Sequence, residues 1–482
     1  MNWSQKAYAC LLLALCLSGL AQAQVYLSGP VSGVLVDTTY IVTSTIKVPS
    51  GDSLVILPGA TFLFLYPSFF HIHGHLYAVG TEQDSIRFLP EPTSDWMGIQ
   101  FYHGSAGSQI GYAIISKPLD GVGVFADGIV FSHCSVLEGE ASGIRGLSLN
   151  YLTITDCDIV GNESEYPYDE VAAGLHFQAC HHVVVSNCRI MNNVCWDYFY
   201  QDGAGAIRAS SYSDLTLTNC LIRGNQSFVR AAVLTVDYSS RGEISNCTIV
   251  ENEGVGGSWV YGIRIGSATR ITNCIIRNDR IREEFEQSTG SVLHCNVQGG
   301  YQGTGNFDAN PRFVDGPEGP YYLSQIAAGQ TVNSPCLDAG HPRSPMIIGT
   351  TRTDGVQDSG RVDIGYHYPV ADDRALAGNW EQGKGDPTGA AGEQAQQEYS
   401  VVIGPNPFNP ITAISYQLSA DSHVKLEVFD TAERLVATLV NGWRGAGSHQ
   451  VTWDASGLPS GLYFCRMQAG DWQGTGKMVL MK

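Results

Sequence analysis

DLTLTNCLIRGN at 214–225 belongs to a set of segments that align on a cysteine, and its reading decides the fold. The others are GIVFSHCSVLEG (128–139), YLTITDCDIVGN (151–162), HVVVSNCRIMNN (182–193), RGEISNCTIVEN (241–252), ATRITNCIIRND (268–279) and TGSVLHCNVQGG (289–300). Their cysteines are 23, 31, 32, 27, 27 and 21 residues apart. Repeats of this length mark a solenoid, in which each unit buries its apolar side only against its neighbours. Within a unit the apolar positions alternate, as in Leu215 and Leu217, then Cys220 and Ile222, which is the period of a β-strand. The phase slips by one at Asn187, Asn219, Asn246 and Asn273, a residue type that tolerates positive φ, so two short strands are expected to meet at an asparagine corner.

A third strand per unit precedes the motif: GIRGLSL (143–149), GLHFQA (174–179), AIRAS (206–210), VLTVDY (233–238) and GIRIG (262–266). Three strands per coil make a parallel β-helix. Stacking the coils predicts an interior ladder of Val136, Ile159, Ile190, Ile222, Ile249, Ile276 and Val297. It also predicts a polar ladder of Asn162, Asn193, Asn225, Asn252 and Asn278, with each amide bonding the adjacent coils.

The chain has 482 residues, enough for two or three domains, and 27 basic against 46 acidic residues give a net charge of −19. Without a basic block, a nucleic-acid partner is not expected. Its 55 glycines and low charged fraction of 15% suit many turns and short strands. Residues 1–23 read as a secretory signal peptide, with an apolar run from Ala7 to Leu20 and a small-residue end at Ala21-Gln22-Ala23. No later run is long enough to span a bilayer as a helix. A soluble protein exported through the periplasm to the medium or the outer cell surface is expected.

TYIVTSTIKVPSGDSLVILPGATFLF (39–64), HIHGHLYAVGTEQDSIRFLPE (71–91), DWMGIQFY (95–102), NSPCLDAG (333–340) and RVDIGYHYP (361–369) extend the pattern over 24–370. This stretch resembles the secreted right-handed parallel β-helix repeat proteins of environmental bacteria. That fold hosts lyases, hydrolases, epimerases and adhesins alike. Residues 371–398 are polar, Gly- and Gln-rich, and read as a flexible linker. Alternation returns in 399–482, with turns expected at Asn441-Gly442, Gly445-Ala446-Gly447 and Pro459-Ser460-Gly461. GPNPFNPITAISYQL (404–418), KLEVFD (425–430), AGSHQVTWDASGLPSGLYFCRM (446–467) and KMVLMK (477–482) resemble the C-terminal sorting domain of the type IX secretion system. The resemblance implies an immunoglobulin-like β-sandwich and type IX machinery as a partner. The fold class is therefore all-β: a right-handed parallel β-helix followed by a small sandwich.

Eleven cysteines remain after the signal peptide. Stacked side chains pointing the same way cannot reach disulfide geometry, so free buried thiols are expected. Three imidazoles at His71, His73 and His75 fall on alternate positions, and no metal site is assigned to them. No cofactor is expected, calcium being the one ion that the acidic run with Asp354, Asp358 and Asp363 would admit, although its spacing is not that of an EF-hand.

On the upstream strand the outward positions align as Arg145, His176, Arg208, Thr235 and Arg264, a local positive row in an acidic protein. The loops entering that strand carry Trp196, Tyr198, Trp259 and Tyr261, with carboxylates at Asp169 and Asp202. Aromatic walls over a polar sheet suit sugar rings. The row after the cysteines holds only one carboxylate, Asp158, too few for a calcium-dependent lyase, and no acid–base pair stands out. The expectation is an exported structural, adhesive or glycan-binding module with a polysaccharide partner. The alternative is a polysaccharide lyase or glycoside hydrolase using the same face.

Overall fold

The structure, a computed structural model, describes residues 25–65, 68–164, 172–196, 203–228, 231–255, 260–279, 281–286, 289–370, 400–404, 411–418, 422–430, 434–445, 447–458, 461–469 and 472–480. The expected signal peptide (1–23) and linker (371–398) lie outside the described residues. Among those described, no helix is long and apolar enough to cross a membrane. The chain divides into two compact units, Met1–Arg374 and Ala375–Lys482.

The first unit is the β-helix. One coil runs Asp214–Thr218, Leu221–Arg223, Ala231–Val236, and the next begins at Arg241–Ser245. The first strands of successive coils form an eleven-stranded parallel sheet, and the other two sides form a 23-stranded one. Strand changes sides at a left-handed residue: Tyr112, His133, Asp156, Asn187, Asn219, Asn246, Asn273 and His294 have φ from 44° to 57°. A residue with positive φ reverses the side on which the next side chain projects, which is why the apolar phase slips at this point. Ile115, Val136, Ile159, Ile190, Ile222, Ile249, Ile276 and Val297 pair in register and are all fully buried.

The eleven described cysteines are free and buried. They pack as apolar groups with weak sulfur hydrogen bonds: the Cys134 N–H donates to Cys157 Sγ at 3.3 Å, and the Cys274 N–H to Cys295 Sγ at 3.3 Å. Burial pushes the thiols up, to about 11 at Cys180 and about 12 at Cys465. The asparagine ladder also forms. Asn162, Asn193 and Asn225 each donate a backbone N–H and a side-chain amide to Oδ1 of the next asparagine at 2.9–3.0 Å. Asn252 gives the same pair to Asn278 at 3.2 and 2.7 Å.

The end of the helical unit folds back over its own side. The Asn219 amide donates to the His367 carbonyl at 2.9 Å and accepts the His367 N–H at 2.7 Å; the Asn246 amide reaches the Asp363 carbonyl, and the Thr248 hydroxyl accepts the Tyr366 N–H. Beneath this cap Leu221, Val250 and Ile275 form a second core with Tyr321, Tyr322, Cys336, Ile364, Tyr366 and Tyr368. NSPCLDAG and RVDIGYHYP are thus cap segments, joined where the Ile364 N–H meets the Cys336 carbonyl at 3.0 Å.

The second unit packs an antiparallel sheet of Ser400–Gly404, Ile411–Leu418 and Gly447–Asp454 against one of Leu435–Arg444, Ser422–Asp430, Gly461–Ala469 and Trp472–Leu480. Ile414, Tyr416 and Trp453 from one sheet and Leu426, Val428, Cys465 and Met467 from the other share a core, which is a small β-sandwich. Cys465 is therefore a core side chain. The expected turn at Asn441-Gly442 does not form. Leu435–Arg444 is continuous there, Asn441 pairing with Lys425 and Gly442 with Val424, because cross-strand pairing outweighs the local preference of the dipeptide.

Candidate ligand-binding face

The outward row is longer than the sequence suggested. Pairing registers place Lys47, His71, Gln100, Gly123, Arg145, His176, Arg208, Thr235 and Arg264 in one line across consecutive coils. An isolated bridge between Ile263 and Phe285 brings Glu286 beside Arg264. The upper rungs were missed because the repeat there lacks the cysteine that fixes the alignment. Their signal was the alternation in FFHIH at 69–73 and GIQF at 98–101.

The middle of the row is not the open groove expected from the alternation. His176, Arg208 and Thr235 are 3%, 2% and 0% exposed, and Gln100 is 4% exposed, although all project from the outer side of the sheet. Arg145 is half-buried and is where the row meets solvent above His176. Arg264 lies 3.4 Å from Glu286 and over the Tyr238 ring at 5.3 Å, so the last rung is partly neutralised by the chain itself. Gly123 leaves room for Gln100: a Cβ there would fall 1.9 Å from Gln100 Oε1, while the Gln100 amide donates to Asp120 at 3.1 Å.

His176 sits in register between two guanidinium rungs. Neither ring nitrogen has a hydrogen-bond partner among the described residues, and the Thr235 hydroxyl has none either. Burial, with Arg208 and Arg145 on either side, holds the imidazole at about 3, so it is neutral at physiological pH. A neutral imidazole carries one N–H donor and one acceptor lone pair, and leaving both unmet in a buried site is costly.

The aromatic walls are used differently from expectation. Trp196 is stacked on Phe228 with centroids 4.4 Å apart and donates its indole N–H to Glu163 at 3.3 Å. Tyr261 carries the Arg282 guanidinium 5.6 Å from its ring centroid. One face of each ring is thus already occupied. Tyr198, Trp259, Asp169 and Asp202 lie outside the described residues.

The remaining candidates separate. The chain turns a corner at Gly74, where a Cβ would meet the Pro49 carbonyl at 2.2 Å, so His75 joins a different sheet from His71 and bonds the Gly107 carbonyl at 3.1 Å. His73 stacks on Tyr102 at 4.3 Å. His75 thus leaves the other two, while the His71 and His73 rings stay edge to face with centroids 6.1 Å apart. Asp354 is exposed and paired with Arg352 at 2.5 Å, whereas Asp358 and Asp363 are buried in the cap on Thr351. Among the described residues no three or more His, Cys, Asp or Glu side chains converge as metal ligands. Asp158 is held in a two-pronged pair with Arg189 at 2.5 and 2.6 Å.

Residues 94–196 and 197–311 match the family model of the right handed beta helix region, and residues 402–481 match that of the secretion system C-terminal sorting domain. No curated protein matches the chain. Similar solved structures include the full-length tailspike protein 2 from Escherichia coli O157:H7 bacteriophage CAB120, which is 10% identical with a TM-score of 0.32, over 92% of this chain and 64% of that one. The enzymatically active domain of bacteriophage CBA120 tailspike protein 2 is also 10% identical, with a TM-score of 0.31, over 92% of this chain and 72% of that one. The chain is a right-handed parallel β-helix protein that carries a secretion system sorting domain at its C-terminal end.

Proposed function

We propose that the protein is a module exported by the type IX machinery, after passage through the periplasm, to the cell surface or medium, where its β-helix binds glycan along the row from Lys47 to Glu286. The observation that carries this reading is the row itself. A protein of net charge −19 aligns Lys47, Arg145, Arg208 and Arg264 on one outer face, with polar His71, Gln100, His176 and Thr235 between them. An extended polymer running along the coils would meet the members of the row that reach solvent, Lys47, His71, Arg145 and Arg264, on coils spaced at the roughly 4.8 Å of adjacent strands.

The test is retention of the purified protein on immobilised acidic and neutral polysaccharides, with released products assayed in parallel. Retention without product supports a binding module, product release would make the chain a polysaccharide-degrading enzyme, and passage through every matrix would leave a structural module. Arg145→Ala is the informative variant because Arg145 reaches solvent. It should weaken retention and leave the fold intact.

A further inference from the structure

We propose that a recess at the C-terminal end of the β-helix is a second carbohydrate site, separate from the row, that takes the terminal units of a neutral glycan. It goes beyond the reading of the row and stands or falls independently of it. The recess exists because the last coil is incomplete. Its chain supplies Ser291–Leu293 and Asn296–Val297 to two sides of the β-helix. The third side ends at residues 281–286, where the Arg282 N–H donates to the Val260 carbonyl at 2.8 Å and the Glu286 N–H to the Ile263 carbonyl at 3.0 Å. Among the described residues no further strand pairs with the other edge of that segment. A cavity of about 430 Å³ is left beside it, the size of one that encloses a small ligand.

The lining selects the ligand. Its apolar part is Ile281, Phe285 and Tyr301, the two rings having centroids 4.4 Å apart at 43°. Ile281 and Tyr301 pack on the end of the core but are only half-buried, so each keeps apolar surface for a guest. Its polar part is exposed Arg282, Glu283 and Gln298, a mixed set of donors and acceptors. Gly299 and Gly300 complete the lining at φ of 76°, and a Cβ on either would touch nothing within 4 Å, so the missing side chains keep the mouth wide. A pyranose has the same two characters, an apolar C–H face and an edge of hydroxyls that both donate and accept. Charge decides between sugars. The one guanidinium, Arg282, already lies over the Tyr261 ring at 5.6 Å, and it stands against the carboxylates of Glu283 and Glu284. That balance disfavours a uronate or a sulfate ester. The recess lies at the end of the coils rather than along them, so it receives the end of a chain and not its middle.

The experiment titrates the full-length protein calorimetrically with neutral gluco-, galacto- and manno-oligosaccharides, each as disaccharide and hexasaccharide, and with a hexauronate. Wild type should bind at least one neutral series, the disaccharide within about threefold of the hexasaccharide, because the cavity is filled by the terminal units. Tyr301→Ala should weaken that binding about tenfold through loss of the ring, and Glu283→Ala about fivefold through loss of an acceptor. Arg145→Ala, on the row, should leave it unchanged, and Tyr301→Ala should leave retention on acidic polysaccharide unchanged, so the two sites fail separately. The site is overturned if no neutral series binds, if affinity climbs with every added unit, or if Arg145→Ala weakens the neutral ligand. It is also overturned if the hexauronate binds Arg145→Ala as tightly as the neutral hexasaccharide does, or if neutral binding is intact in either folded variant of the lining. Thermal melting establishes which variants fold. Should Tyr301→Ala not fold, Glu283→Ala decides alone, since Glu283 is exposed.

Discussion

Asn278 gives its backbone N–H to one oxygen of the Glu284 carboxylate at 2.6 Å and its side-chain amide to the other at 2.7 Å. Each earlier asparagine gives the same two donors to the amide oxygen of the next coil. Glu284 stands where the ladder has no further asparagine, and its two oxygens take the two donors. It ends a stack that would otherwise leave buried groups unpaired.

Glu284→Ala should therefore cost about 2 to 4 kcal/mol, the sum of two buried donors left unmet. Glu284→Gln keeps one acceptor and should lose less. Hydrogen exchange resolved to segments checks this: the loss should centre on Ile275–Asp279 and fade toward Asn162, because coils couple mainly to their neighbours. A loss spread evenly along the β-helix would contradict it.

Ile222→Ala should cost about 2 to 5 kcal/mol, since the side chain is fully buried between Ile190 and Ile249. Arg223→Ala, one residue on and facing outward, should cost up to about 1 kcal/mol, because Arg223 pairs with Glu251 at 2.9 Å and covers Tyr321 at 5.3 Å. Chemical denaturation of both variants measures the difference. Equal losses would mean that the strand phase is wrong.

The interior of the β-helix was legible because the cysteine and the aliphatic residue of Cys220 and Ile222 repeat in all seven aligned segments, Asn225 has counterparts in four of them, and packing admits only one phase for the set. The cap was not. Its signal was present in the row after the cysteines, which changes from Ser135, Asp158 and Arg189 to Leu221, Thr248 and Ile275. Apolar residues on an outer face imply a cover, and the cap lies over them. The positive row was legible in register but not in exposure, since alternation says which side a residue takes and nothing about what lies over it. His176 and Arg208 point outward and are nonetheless buried.

The eleven described cysteines predict an unusual thiol assay. In the native state none should react with a bulky disulfide reagent, because all are buried and burial disfavours the reactive thiolate. After unfolding without reductant all eleven should react. Fewer would reveal disulfides that the stacked geometry disfavours.

Deleting 399–482 should leave the β-helix folded and strand it in the periplasm, because the sandwich has its own core and matches an export signal. Cell fractionation and circular dichroism of the truncated protein are the measurements. Normal amounts outside the cell would remove the sorting role, and an unfolded remainder would make the sandwich a folding partner of the β-helix.

Acid should loosen the coil of His176 before it loosens the cap. The His176 imidazole is held at about 3 against an ordinary value of 6.5, so below pH 6.5 the unfolded chain takes up a proton that the folded chain refuses. The stability from that coil is complete above pH 6.5 and is lost as pH falls toward 3, by at most about 1.4 kcal/mol per pH unit. In the cap His367 is likewise held low, at about 4, but Asp358, whose carboxylate lies 3.6 Å away, is raised to about 7. A raised carboxyl acts in the opposite sense, its stabilisation being lost as pH rises through 7, so the two largely offset between pH 4 and 6.5. His176 has no carboxylate among its described neighbours to provide such an offset; its rungs are Arg145 and Arg208. Hydrogen exchange at pH 6.5, 5.5 and 4.5, corrected for the intrinsic rate, should show Leu175–Gln178 losing protection faster than Asp358–Tyr368. In His176→Phe the acid slope at Leu175–Gln178 should flatten. An unchanged slope in the variant would place the acid sensitivity elsewhere in the fold.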